Sequence, residues 1–340
     1  MASQCGRWVK RGALGGLVLV AVVGGYVALN WTTLKADYTG KQFRAATTEP
    51  DRARLAEELL AAGDAGLPYL LEPFQSGTAE SCATVVRALE KFFGEVPAND
   101  PRFARCCRAV FDGFAAFHDV GKAAALELLP ELLKCPDPDS AGRCREMVKA
   151  GLTCPNADAR VRAVRLALRP ETNLTAEVVP LLDAPEPEVR RAAMLAVGPT
   201  TDGTEPAIGV EELFRWLHDP DHEVRDLCTA ALLTRGLDLV HVVLARQLSD
   251  PNPAERIKLL ADLRYAGDSI QDVGPWLERL SRDPDPAVRL GAARVALDSR
   301  LVFVGWIERL AERDPDPTVR KWVRYFRAES EPVRQAGFTP

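Results

Sequence analysis

Apolar residues recur in the carboxy-terminal half of the chain at i, i+4, i+7 and i+8. Val189, Ala193, Ala196 and Val197 follow this rule, as do Val224, Cys228, Ala231 and Leu232, and again Val288, Ala292, Val295 and Ala296. Such spacing draws one apolar face along a helix of 3.6 residues per turn. Each of these helices follows a short acidic, proline-rich corner, and another apolar helical segment precedes the corner. The pattern predicts first helices near 174–183, 209–218, 238–249, 270–282 and 301–313. Second helices are predicted near 157–169, 186–198, 221–236, 252–266, 285–298 and 316–329.

The corners repeat almost letter for letter. Asp283-Pro284-Asp285-Pro286-Ala287-Val288-Arg289 returns as Asp314-Pro315-Asp316-Pro317-Thr318-Val319-Arg320, and an earlier copy is Asp219-Pro220-Asp221-His222-Glu223-Val224-Arg225. Ala184-Pro185-Glu186-Pro187-Glu188-Val189-Arg190 is looser. Asp250-Pro251-Asn252-Pro253-Ala254-Glu255-Arg256-Ile257-Lys258 reads as stretched by one residue, with Ile257 in the valine position. On that reading the intervals are 35 residues (Val189 to Val224), then 33, 31 and 31. The first proline ends a helix, because it lacks an N–H and pushes the preceding residue out of helical geometry. The second suits the first turn of the next helix, with the acid before it as N-cap. A period of this length means a repeat architecture.

These residues resemble the HEAT and HEAT-like (PBS-lyase-type) repeat family, with its acidic, proline-rich turn, Val-Arg pair and Ala/Leu-rich helix. The resemblance implies an all-α fold: an α-solenoid, a right-handed superhelix of about eight helix pairs. It also implies a ladder in which turn aspartates face arginines of neighbouring repeats. Carried over, Asp219, Asp250, Asp283 and Asp314 are expected to face Arg190, Arg225, Arg289 and Arg320, as structural joints with no catalytic part.

The amino-terminal half is less regular. Glu49-Pro50-Asp51 opens a helix running to about Ala62, read as a cap on the stack. Residues 64–75 and 79–93 pair as a degenerate unit. Residues 101–117 carry Phe103, Phe111, Phe114 and Phe117, read as packed core in preference to a ligand groove. Between 120 and 170 the registration stays open: Leu126–Lys134 and Cys144–Leu152 both look like first helices, yet lie too close together for that.

Ahead of all this, Gly12 to Leu34 contains no charged residue. The stretch is long enough to cross a bilayer as a helix, with Tyr26 and Trp31 at interfacial places. A cleaved signal peptide competes, but no good small-x-small cleavage site precedes Asn30; a segment outside the membrane is a third reading. The expected organisation is a tail at 1–11, a transmembrane signal anchor at 12–34, a polar tether at 35–48, repeats at 49–330 (degenerate 49–155, regular 156–330) and a tail at 331–340. Arg7, Lys10 and Arg11 precede the span. Lys35, Lys41 and Arg44, offset by Asp37, follow it. This slight excess places the repeats outside the cytoplasm.

Composition narrows the function further. The 340 residues are 47% hydrophobic, 27% charged and only 7% aromatic, with a formal net charge of −5. That balance weighs against nucleic acid, which needs a clustered basic surface. Of eight cysteines none shows C-x2-C spacing, and most fall on apolar helical positions as small hydrophobes; an exported domain would allow disulfides among them. His218 and His222 are four apart, but a proline corner breaks the helix between them, so a metal pair is not expected. Arg160, Arg162, Arg165 and Arg169 spread around a helix and read as a solvated face. Trp216, Trp276 and Trp306 take similar places in first helices and read as core. No nucleotide, hydrolase or zinc-protease motif occurs.

The reading is therefore a membrane-anchored, non-catalytic scaffold that binds another protein through its solenoid surface. It implies no cofactor, metal, nucleic acid or small-molecule substrate. An enzyme or accessory protein of the HEAT-like type, a lyase or chromophore-handling protein, is the alternative, and a bound cofactor would mark it. A secreted soluble scaffold is the other, marked by a mature amino terminus near residue 30.

Overall fold

A computed structural model describes residues 30–198, 206–265, 273–299 and 305–336. All regular structure among them is helical. The chain divides into two compact units, one ending at Ala196 and the other beginning at Val197.

The first unit contains α1 (Trp31–Ala45), α2 (Glu49–Ala61), α3 (Leu67–Ser76), α4 (Ala79–Glu95), α5 (Pro101–Gly113), α6 (Asp119–Ala125) and α7 (Leu129–Leu132). It continues with α8 (Ser140–Leu152), α9 (Ala157–Ala167), α10 (Thr175–Val178) and α11 (Pro187–Val197). Two rows emerge from the packing. α1, α3, α5, α8 and α10 touch in succession as first helices, and α2, α4, α6 and α9 touch in succession as second helices. Leu59, Leu70, Phe74, Leu89, Phe103, Leu126 and Leu132 are fully enclosed. Enclosing a side chain of this size contributes about 1.5–3 kcal/mol.

This arrangement resolves the ambiguous stretch. Leu126–Leu132 belongs to a second helix, continuing α6 through a 3-10 turn (Leu126–Leu128) into α7, while α8 is the first helix of the next pair. Pro130 has no N–H to give and crowds the carbonyl of Leu126, so the helix tightens there. The kinked helix and its proline corner at Cys135-Pro136 mimic the end of a first helix in sequence.

The expected polar tether at 35–48 is instead largely helix. α1 buries Ala36, Thr39, Gly40 and Phe43, at spacings of three and four, against the first repeat. Polar residues obscure this face in the sequence because the contact is made by a glycine and a threonine. A Cβ on Gly40 would lie 2.6 Å from the Tyr69 ring. Tyr69 donates its hydroxyl to Asp37 at 3.2 Å, and Arg44 pairs with Glu72 at 3.1 Å. The apolar span expected at 12–34 lies outside the described residues up to Leu29. Among the described residues no helix is long and apolar enough to cross a membrane.

The second unit contains α12 (Val210–Leu213), α13 (His222–Thr234), α14 (Leu239–Leu248), α15 (Pro253–Tyr265), α16 (Gly274–Leu280), α17 (Pro286–Asp298), α18 (Gly305–Arg313) and α19 (Pro317–Ala336). A 3-10 segment, Phe214–His218, extends α12 and packs on α13. α15, α17 and α19 pack in succession, and α16 and α18 lie against their partners α17 and α19. Helix starts follow the expected chemistry. Asp221 accepts from the Val224 amide at 3.1 Å, and Asp285 accepts from Ala287 and Val288 at 2.8 and 3.3 Å. Arg235 closes the start of the unit, donating to the carbonyls of Val197, Gly198 and Ile208, each at 2.6 Å.

Candidate functional site

The second unit carries two distinctive features, the corners that join its repeats and a surface on α14. In each corner the first aspartate accepts from the backbone amide two residues on. The distances are 2.8 Å for Asp219, Asp250 and Asp283 and 2.9 Å for Asp314. This fixes the turn and aims the carboxylate. Asp283 then receives Arg256 through Nε at 2.6 Å and Nη2 at 2.9 Å. Asp314 receives Arg289 through the same two nitrogens, each at 2.8 Å. The third nitrogen of each arginine turns back onto its own corner: Arg256 Nη1 to the Asp250 carbonyl at 2.6 Å, Arg289 Nη1 to the Asp283 and Pro284 carbonyls at 2.8 and 3.0 Å. Burial would push the Asp314 carboxyl up, but the Arg289 hydrogen bond, the Asp316 amide and the charges of Arg289 and Arg320 together hold it below its ordinary value. Its hydrogen bond to Asp314 outweighs burial and raises the Arg289 guanidinium in turn.

The structure brings together some of the expected residues and not others. Asp314 pairs with Arg289, and Asp283 with Arg256, a residue absent from the expected set. The Asp250 corner is not stretched: Arg256 stands six residues after Asp250, as Arg289 does after Asp283, and Glu255 occupies the valine position. Ile257, read as the buried equivalent, is exposed. Arg225 donates to the carbonyls of Asp219 and Pro220 at 2.7 and 3.1 Å and does not pair with Asp250. His218 takes that place, its Nδ1 3.9 Å from Asp250 and its Nε2–H donating to the Arg246 carbonyl at 2.7 Å. Arg320 closes on its own corner, donating to the Asp314 and Pro315 carbonyls. Arg190, itself buried, donates to the carbonyls of Ala184 and Pro185 at 2.9 and 3.0 Å.

The first unit has a rung of its own. Arg160, expected on a solvated face, is six residues past Cys154 and pairs with Glu186 at 2.6 Å, since Ala184 offers no carboxylate. Arg162 donates to the Ala123 carbonyl at 3.2 Å and pairs with Glu127. Only Arg165 and Arg169 of that cluster are exposed. The six-residue offset was the signal for both Arg256 and Arg160.

The remaining candidates fall mostly into the core. Phe103, Phe111, Phe114 and Phe117 are buried, as are Trp216 and Trp306. Cys82, Cys106, Cys107, Cys135, Cys144, Cys154 and Cys228 are buried free thiols. His222 is exposed on its turn, apart from the bonds that hold His218. Among the described residues no group of three or more His, Cys, Asp or Glu is placed to hold a metal ion. A groove of about 390 Å³ in the first unit is rimmed by charges that largely pair among themselves, Lys91 with Glu57 at 2.6 Å and Arg105 with Asp64 at 3.4 Å.

The α14 surface was missed in the sequence. Leu239, Val240 and Val243 share one face and are each more than half exposed, while Val242, Leu244, Ala245 and Leu248 fill the core side. On the other side of α14, Trp276 is half-buried, its ring 6.0 Å from His241 and stacked on Phe214 at 6.3 Å with a 7° interplanar angle. Arg279 lies over the Phe214 ring at 5.2 Å and pairs with Glu211, linking α16 to α12 past α14. His241 Nδ1–H donates to Asp238 at 2.7 Å. The His241 amide and then its ring hold the Asp238 carboxyl below its usual range. The outward face of α14 is thus a small aliphatic patch, with the aromatic stack packed behind the helix. The warning in the sequence was a helix apolar on every side, Leu239-Val240-His241-Val242-Val243-Leu244, in a first-helix position with one face left over.

No family model matches the chain, and no curated protein matches it. Solved structures do match along most of its length. One is the crystal structure of an engineered protein, 19% identical over 87% of this chain and 98% of that chain, with a TM-score of 0.28. Another is human deoxyhypusine hydroxylase in complex with glycerol, 17% identical over 90% and 99%, also with a TM-score of 0.28. Similarity at that level assigns neither a fold nor an activity.

Proposed function

We propose that this chain is a membrane-anchored, non-catalytic HEAT-like scaffold that docks another protein on the first-helix surface of its second unit. The observation that carries the reading is the α14 face. Three aliphatic side chains stand in water there, on a unit whose other described first-helix apolar residues are largely buried. Leaving them exposed costs roughly 1.5–3 kcal/mol each relative to burial, a cost that a partner offsets. The corner pairs support the HEAT-like reading, since Arg256–Asp283 and Arg289–Asp314 join consecutive repeats in the way that resemblance implies. The uncharged run from Gly12 supports the anchor, and the basic residues before it favour repeats on the extracytoplasmic side.

The test compares affinity capture by the wild-type chain with capture by Leu239→Asp/Val243→Asp, using mass spectrometry of what is retained. The expected result is a partner held by the wild type and lost by a variant whose melting is unchanged. Identical retention by both proteins overturns the assignment of the surface. A stoichiometric metal or chromophore in the purified chain overturns the scaffold reading itself.

A further inference from the structure

We infer that the outer face of α1 docks in the headgroup region of the lipid bilayer, so that the first repeat is seated on the membrane and not suspended from it. This rests on the anchor reading above and adds a surface to it.

Trp31, Leu34 and Tyr38 are 61%, 42% and 64% exposed. At 100° per residue they lie on one side of α1, roughly opposite the face that packs Ala36, Thr39, Gly40 and Phe43 on the first repeat. A helix that is amphipathic by packing thus carries a second apolar stripe facing outward. The chemistry of that stripe is specific. Trp and Tyr have apolar rings with polar tips, which suits the boundary between headgroups and acyl chains. Lys35 is exposed on one flank, placed to meet anionic headgroups, and Lys41 is exposed on the other, paired with Asp37 at 2.7 Å.

Continuity with the preceding sequence selects lipid over protein as the occupant. The packed helix starts at Trp31, which leaves Gly12–Asn30 uncharged and directly upstream. As a helix these residues span about 28 Å, close to the hydrocarbon thickness of a bilayer. A chain leaving the bilayer at Asn30 enters α1 at once, so its first turn lies at the interface. With α1 also fastened to the repeat by Arg44–Glu72 and Tyr69–Asp37, little free chain remains to lift the stripe away.

The test uses the full chain reconstituted in phosphatidylcholine/phosphatidylglycerol vesicles containing lipids brominated at shallow acyl positions. Trp8 precedes the apolar run, so Trp8→Phe is the background. Vesicle flotation reports membrane attachment, and loss of tryptophan emission reports contact with brominated chains. The expected result is flotation with quenching of a fraction of the emission, a fraction that disappears in Trp8→Phe/Trp31→Phe, while Trp216, Trp276, Trp306 and Trp322 in the repeats supply a constant unquenched remainder. Leu34→Ser/Tyr38→Ser on the same background, with melting and flotation unchanged, is expected to weaken quenching of Trp31. Flotation without quenching of Trp31 overturns the seated face and leaves the anchor standing. A chain that does not float overturns both.

Discussion

Arg289 holds both carboxylate oxygens of Asp314, Nε and Nη2 each at 2.8 Å, and keeps its last nitrogen for the carbonyls of its own corner. The side chains are 9% and 1% exposed. Two charges are thus taken from water with nearly every hydrogen-bonding position satisfied, and removing one partner strands the other. Asp314→Ala is expected to cost about 3–5 kcal/mol, as for other buried pairs broken from one side. Arg289→Leu/Asp314→Leu together should cost much less than the sum of the two single replacements. Chemical denaturation of the four proteins of the cycle checks this. The exposed pair Arg282–Glu278 serves as the comparison, expected to change stability by less than about 1 kcal/mol. Equal losses at both pairs would falsify the joint.

Acid should loosen the same joint. The folded pKa of Asp314 lies below its ordinary value of 3.8. A carboxyl shifted this way contributes stability that is intact above the unfolded pKa and lost as pH falls through the folded one. Melting temperatures of wild type and Asp314→Asn should therefore differ at neutral pH and converge below about pH 4. A gap that stays constant across that window would mean the carboxylate charge contributes nothing.

The buried thiols set an opposite limit at high pH. Burial pushes Cys82 and Cys106 up to about 11, and Cys144 and Cys228 up to about 12, from an ordinary 9.0. The folded chain then holds these protons more tightly than the unfolded chain. The stability they support is complete below pH 9 and declines as pH rises toward those folded values. Native protein at pH 8 should take up iodoacetamide slowly at these four positions and rapidly after unfolding, as read by mass spectrometry of the labelled peptides. Fast native labelling of Cys144 or Cys228 would contradict their enclosure.

Gly40 tests the docking of α1. A methyl group there meets the Tyr69 ring at 2.6 Å, and overpacking of this kind costs about 1–3 kcal/mol. Gly40→Ala should speed amide exchange throughout Trp31–Ala45 while leaving the second unit protected, and Gly40→Ala/Tyr69→Ala should restore much of the protection. A Gly40→Ala exchange pattern identical to wild type would return this segment to the status of a loose tether.

The helices of the repeats were legible because their period is written in apolar side chains, Val288 to Ala296 and its copies, and because Asp-Pro corners punctuate them. The joints were half legible. Six residues separate the corner from its arginine in every copy, but Glu255 in the valine place hid Arg256, and Cys154 in the aspartate place hid Arg160. Pro130 hid the pairing near 126 by breaking one helix into two. α1 escaped notice because Gly40 and Thr39 make contacts that hydropathy does not count. The α14 surface is unmarked because a helix apolar on every side does not show which face the core takes, and in the fold Val240 and Val243 point away from it.

The dual grip of each corner arginine bears on how such a chain can change over time. The stretch from Asp250 to Asp283 is 33 residues and that from Asp283 to Asp314 is 31, yet both end in the same two-pronged clasp. Residues added or deleted within a hairpin are taken up before the next clasp closes, so errors of length do not accumulate along the second unit. New loops, and with them new specificities, can therefore be grafted between the helices of this unit without shifting the next clasp.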